Sequence, residues 1–219
     1  MASTRRPVLG AKLERVFVLG IDPGLSRCGY GVLERDARGP RAVAGGVITT
    51  DTRECVAERL SALLVDLRAL VAEVAPDAVA VERVFFQTNA LTATSVAQAA
   101  GLALVAAAEG GCEVAEYTSN EVKQAVVGYG NATKAQVQRM VAQVLGLSVP
   151  PRPPDVADAL GLALCHLASE PLRRSLALSA KTAGQRAHSD RSGTPSRRDL
   201  SSRRDLSSRR DLLSRREAQ

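Results

Sequence analysis

The chain has 219 residues, 45% of them hydrophobic, enough for one compact core with an appendage. Its longest apolar stretches, such as Val96–Ala108 with Gln98 and Gly101 inside, fall short of the about 20 apolar residues that a membrane span needs. Lys12, Glu14 and Arg15 interrupt any secretory signal behind Arg5 and Arg6, so a cytoplasmic protein without a membrane partner is expected.

The net charge of +6, from 29 basic and 23 acidic residues, invites a polyanion. Its distribution is uneven, since Leu172–Gln219 holds 13 basic against five acidic residues, leaving 16 and 18 in residues 1–171. The four cysteines have no CxxC spacing, and the two histidines, His166 and His188, are far apart. Neither a disulfide framework nor a Cys/His zinc site is indicated. Metal chemistry in this chain would have to use carboxylates.

Residues 1–14 read as an unstructured extension. Val16–Asp22 is a short apolar run closed by Pro23 and Gly24, and Gly29–Leu33 and Ala42–Thr49 are further strands that complete a meander. Cys55–Val74 carries Val56, Leu60, Leu63, Leu64, Leu67, Leu70 and Val71 at helical spacing. Ala78–Glu82 reads as a buried strand, Asn89–Glu109 as an Ala-rich helix stopped by Gly110 and Gly111, and Cys112–Tyr117 as a fifth strand. Helices follow over Asn120–Val127, Thr133–Leu145 and Pro154–Ala168, the last with its proline in the first turn. The order βββαβαβααα implies an α/β domain over residues 15–171, a mixed five-stranded sheet flanked by helices on both faces. Residues 172–219 form an Arg-rich tail repeating SRRDLS, with too few apolar residues to offset ordering entropy.

Four acids stand out. Asp22 closes the first strand and Glu82 the fourth, and ligands of α/β sheets gather beyond the carboxyl ends of parallel strands. Asp155 and Asp158, three apart, share one face of the last helix. Asp22 before Pro23 and Gly24 also suits a turn, and the helical pair also suits the helix dipole. Glu82 is harder to assign a bland role, because an acid ending an apolar run risks burial without a partner. Clustered carboxylates repel unless a cation sits among them, and oxygen ligands suit Mg²⁺ or Mn²⁺. Two such ions would assist in-line attack of water on a phosphodiester.

The strings GIDPGLSRCGYGV (Gly20–Val32), VERVFFQTNA (Val81–Ala90), NEVKQAVVGYGNATKAQVQRMV (Asn120–Val141) and PPDVADALGLALCH (Pro153–His166) resemble the RuvC family of Holliday junction resolvases. The resemblance runs from about Val16 to about Ala168. It implies an RNase H-like fold, a homodimer, and Mg²⁺-dependent paired nicks at four-way junction DNA in recombination and repair. Products with 5′-phosphate and 3′-hydroxyl ends follow from it, as does partnership with the branch-migration proteins RuvA and RuvB.

By position, Asp22, Glu82, Asp155 and Asp158 match the family's catalytic and metal-binding acids, two Mg²⁺ ions per subunit being implied, with Mn²⁺ able to substitute. Lys123 and Lys134, the two lysines between Lys12 and the tail, match its functional lysines and read as phosphate contacts. Phe85 matches a position that stacks on bases at the opened junction, in a chain with six aromatic residues. Gln87, Thr88 and Asn89 continue that loop. Small residues at Ala93, Ala97, Ala100 and Gly101 lie where the family forms its dimer, and His166 reads as structural.

Two other readings compete. One is another RNase H-like nuclease, such as an RNA/DNA hybrid hydrolase. The other is an actin-like ATPase, whose first phosphate turn resembles the GIDPG strand end, but the further glycine-rich loops of that class are not found. The tail either strengthens nonspecific DNA binding or is incidental to it.

Overall fold

The computed structural model of the protein describes residues 15–84, 90–170 and Arg173. Contacts divide the chain into residues 1–173 and 174–219, and the second unit lies outside the described residues. So do residues 1–14 and residues 85–89, which include Phe85.

Five strands form one sheet in the order β3-β2-β1-β4-β5. β1 (Val16–Asp22), β2 (Arg27–Asp36) and β3 (Gly39–Thr49) are an antiparallel meander, and β4 (Ala78–Glu82) and β5 (Glu113–Tyr117) add in parallel beside β1. The helices are α1 (Val56–Val74), α2 (Ala90–Glu109), α3 (Ser119–Val127), α4 (Lys134–Val144) and a last helix over residues 154–170, here α5. This is the mixed sheet of the RNase H-like fold. The meander strands run longer than expected. Arg27 and Cys28 extend β2 at one end and Glu34–Asp36 at the other, where it pairs as far as Gly39.

The two faces of the sheet follow from the two-residue period of a strand. In β1, Leu19 and Ile21 enter a core with Leu63, Leu67 and Val71 of α1 and with Ala99, Ala103, Ala106 and Ala107 of α2. Val18 enters the opposite core, with Val122 of α3, Val137 and Val141 of α4, and Val156, Leu160 and Ala163 of α5. In β4, Val79 and Val81 join the first core and Ala80 the second. Ile21 lies opposite Val81 in parallel register. The next residue of each strand is an acid, and parity turns both acids toward the face that carries α3, α4 and α5.

Glycine sets how closely α5 lies on this face. A Cβ on Gly20 would meet the Ala159 carbonyl oxygen at 1.9 Å, and one on Gly29 would meet that of Asp155 at 2.6 Å. Any side chain at these positions would lift α5, and with it Asp155 and Asp158, away from the strand ends. Gly20→Ala should therefore lower unfolding stability by about 3 kcal/mol, the upper part of the range for an overpacked core, read as a lower urea midpoint. An unchanged midpoint would contradict so tight a seat.

Candidate active site

Asp22 and Glu82 stand side by side at the ends of β1 and β4, half-buried. With Asp158 of α5 they line a pocket of about 220 Å³ whose other walls include Ser119, Lys123, Lys134 and Val137. Burial pushes the Asp22 carboxyl up to about 7, aided by the negative charges of Glu82, Asp158 and Asp155 and opposed by Lys134. Glu82 is raised as well, first by burial; its hydrogen bond with Asp22 lowers it and the charge of Asp158 adds to the rise. Repulsion between acids held partly out of water is thus a property of the site.

The two acids of α5 are held differently. Asp158 accepts a hydrogen bond from Gln138 Nε2 at 3.2 Å on one oxygen. Its other oxygen, buried, is held by Lys134 Nζ at 2.5 Å. Asp155 stands toward β2, where Arg27 donates to it at 2.8 Å. That bond holds the Asp155 carboxyl below its ordinary value. Asp155 is absent from the lining of the pocket, and among the described residues no three acidic, histidine or cysteine side chains converge on one point. Three of the four expected acids line one pocket, and Asp155 lies outside its lining.

The donor set suits a hard divalent cation. Apart from the two lysines, the polar groups of the pocket are the carboxylates of Asp22, Glu82 and Asp158 and the Ser119 hydroxyl, all oxygen donors, and two of the carboxyls are raised by burial. To hold such an ion, Asp22, Glu82 and Asp158 would have to draw closer together, and Asp155 would have to leave Arg27.

Both lysines reach the pocket because capped helices carry them there. Thr118 caps α3, its hydroxyl accepting from the Glu121 backbone N–H while Glu121 accepts from Thr118 N–H. Thr133 and Gln136 form the same reciprocal cap on α4. Lys134 occupies the first turn of α4, where a cation opposes the helix dipole. Burial lowers its pKa, yet contact with Asp158 and the charges of Asp22 and Asp155 outweigh burial and hold it above the ordinary lysine value. Charge attraction into the pocket explains a residue that helix formation alone would disfavour.

Sequence reasoning missed Arg27 and Gln138. Nothing in spacing announces a partnership across 128 residues, although Gly29, two positions after Arg27, is the residue that admits Asp155. His166 is buried, 3.2 Å through Nδ1 from the Tyr117 hydroxyl. Arg173 packs on the same pair and donates to Glu113 at 2.6 Å, so this corner is structural and closes over the end of β5. Phe85 lies outside the described residues.

Comparison with known proteins agrees with this geometry. A family model described as crossover junction endodeoxyribonuclease RuvC matches residues 18–166. The RuvC of Syntrophomonas wolfei is 48% identical over 169 residues, spanning 77% of this chain and 98% of that protein. The Thermus thermophilus RuvC structure superposes with a TM-score of 0.67 at 38% identity, covering 72% of this chain and 96% of that one. A second Thermus thermophilus structure, RuvC in complex with a Holliday junction substrate, gives 0.65 at 35% identity and the same coverage. A strand pair ending in Asp22 and Glu82, a helix carrying Asp155 and Asp158 and the match over residues 18–166 establish that the chain belongs to the RuvC family of crossover junction endodeoxyribonucleases.

Proposed function

We propose that this protein resolves four-way DNA junctions in recombination and repair, as a homodimer that makes paired symmetric nicks in opposed strands. The observation that carries the reading is the pocket in which Asp22, Glu82 and Asp158 meet Lys123 and Lys134. Acids alone would repel DNA, and lysines alone would hold it without cutting. Their combination suits hydrolysis of a phosphodiester.

In the reaction, a water oxygen bonds to phosphorus as the bond from phosphorus to the 3′-oxygen breaks, leaving 5′-phosphate and 3′-hydroxyl ends. Mg²⁺, two ions per subunit with Mn²⁺ able to substitute, would supply activation of the water and support of the leaving oxygen. Asp22, Glu82 and Asp158 would hold such ions, with Asp155 as a fourth ligand. Gln138 fixes the Asp158 carboxylate. Lys134, kept protonated and drawn inward by Asp158, is set to offset charge developing on the phosphoryl oxygens. Lys123 on the facing wall contacts a neighbouring phosphate. Phe85 stacks on bases by family resemblance.

A two-fold enzyme suits a substrate with two equivalent cleavage points. Open space over Gly101 on α2 supports a second copy approaching there. RuvA and RuvB are its partners by resemblance, and the cytoplasm its place of action.

Removing one pocket acid should abolish nicking before it affects binding. Asp22→Asn and Glu82→Gln are expected to slow cleavage by a factor on the order of 10² or more, while gel-shift affinity for a junction stays within about threefold, under half the effect of losing one contact of about 1.4 kcal/mol. Equal loss of affinity and cleavage would make these acids structural.

Asp22 also predicts a pH signature. It binds its proton more tightly folded, at about 7, than an ordinary aspartate does, near 3.8, so its stabilising share is complete below about pH 4 and lost as pH rises through 7. In thermal melts without metal, Asp22→Asn should match wild type at pH 4 and exceed it increasingly toward pH 8. Added Mg²⁺ should raise the wild-type midpoint at pH 8 and leave that of the variant nearly unchanged. A difference independent of pH would refute the raised carboxyl.

A further inference from the structure

The turn after β1 folds back on itself and delivers Arg27 to the carboxylate end of the sheet. A Cβ on Gly24 would meet the Arg27 carbonyl oxygen at 2.3 Å, so a side chain there would force the turn open. Two side chains pin the same turn. Thr50 donates to the Leu25 carbonyl at 2.6 Å, and Arg59 of α1 donates to Ser26 Oγ at 2.6 Å and to Thr50 Oγ1 at 3.0 Å. Arg27 then opens β2, paired with Thr49 of β3, so its backbone is fixed on both sides.

What Arg27 meets there is Asp155. Antiparallel pairing sets Gly29 opposite Asp22, and a Cβ on Gly29 would meet the Asp155 Cβ at 2.8 Å. Residues paired across a ladder project to the same face, so Asp155 is seated over the residue beside Asp22. Its place on α5 already brings it to the centre. The direction of its carboxylate keeps it out of the pocket lining, since Oδ2 accepts from the Arg27 guanidinium at 2.8 Å. The carboxylate remains within electrostatic reach, because its charge helps to raise both Asp22 and Lys134.

This contact is built to yield. The Arg27 side chain is 52% exposed, so water can take up the guanidinium as the pair separates, and an ion pair of this kind holds only weakly. A divalent cation competes well for the same oxygen, because carboxylates are its preferred ligands.

We propose that Arg27 is a positioning residue that competes with the divalent cation for Asp155, so that the carboxylate serves either the guanidinium or the ion. The inference rests on reading the carboxylate pocket as a metal centre. Arg27 acts in this role through Asp155 and leaves the reacting atoms to the acids. Because the pair has to separate before the fourth ligand joins, Arg27 weakens the hold of the complete centre on its cation. The pocket formed by Asp22, Glu82 and Asp158 stays open throughout.

The test follows Mn²⁺ binding to the full-length protein by the electron paramagnetic resonance signal of the free ion. Arg27→Gln should bind Mn²⁺ about threefold more tightly than wild type, the worth of a half-exposed ion pair of about 0.7 kcal/mol. Arg27→Lys, which keeps a cation able to pair with Asp155, should stay near wild type. On an Asp155→Asn background, Arg27→Gln should bring no gain, because the contested carboxylate is gone. Arg27 is exposed, so the variants are expected to fold, which melting without Mn²⁺ checks. The rise in melting midpoint on adding Mn²⁺ should be larger for Arg27→Gln than for wild type. An equal gain in affinity on both backgrounds would assign the effect to net charge and overturn the competition. Weaker binding by Arg27→Gln would also overturn it, making Arg27 an orienting partner of a metal-bound Asp155. A wild type that binds no Mn²⁺ would overturn the metal centre as well.

Discussion

Two carboxyl groups at the ends of neighbouring parallel strands, half out of water, repel one another, and much of the surrounding structure answers that repulsion. Strand parity puts Asp22 and Glu82 on the same face, and parallel register sets them side by side. Burial raises both, so a proton or a cation is needed between them near neutral pH. Gly20 and Gly29 allow α5 to lie directly on the strands, which adds two more acids to the same end of the sheet. The helical caps at Thr118 and Thr133 then deliver one lysine each.

The same bookkeeping of charge explains how a slightly acidic domain can handle DNA. Several arginines pair with acids away from the pocket: Arg41 with the buried Glu34, Arg35 with Glu170, Arg68 with Glu109 across α1 and α2. Cations that meet the site are few and placed. Lys134 is drawn into the pocket by Asp158, and Lys123 lines the same pocket. The basic excess of the whole chain belongs to residues 172–219, so net charge by itself was a poor guide to where a polyanion would bind.

Much of this was legible from residue patterns because the governing constraints are local. The short apolar runs VFVLGID and AVAVE announce strands whose last residue is an acid, and the spacing of Asp155 and Asp158 fixes a shared helical face. Strand ends were less legible. The expected Gly29–Leu33 omits Arg27 and the Glu34–Asp36 segment, since charged residues that pair across a hairpin leave no apolar trace. The Arg27 bond to Asp155 and the Gln138 bond to Asp158 depend on tertiary approach, which no periodicity encodes. Asn120 against Gly130 is of the same kind: the glycine reads as a turn former, and its role in seating a neighbour emerges only in three dimensions.

The central claim is that the acids at the ends of β1 and β4 form a metal-dependent centre that cuts four-way junctions. Mapping the nicks on a synthetic junction, beside a linear duplex and an RNA/DNA hybrid of matched sequence, with and without Mg²⁺, tests it most directly. The account predicts two symmetric nicks in opposed strands of the junction, dependent on the cation and sealable by a ligase. Cleavage of the hybrid without cleavage of the junction, or junction cleavage undiminished by removal of divalent metal, would contradict it.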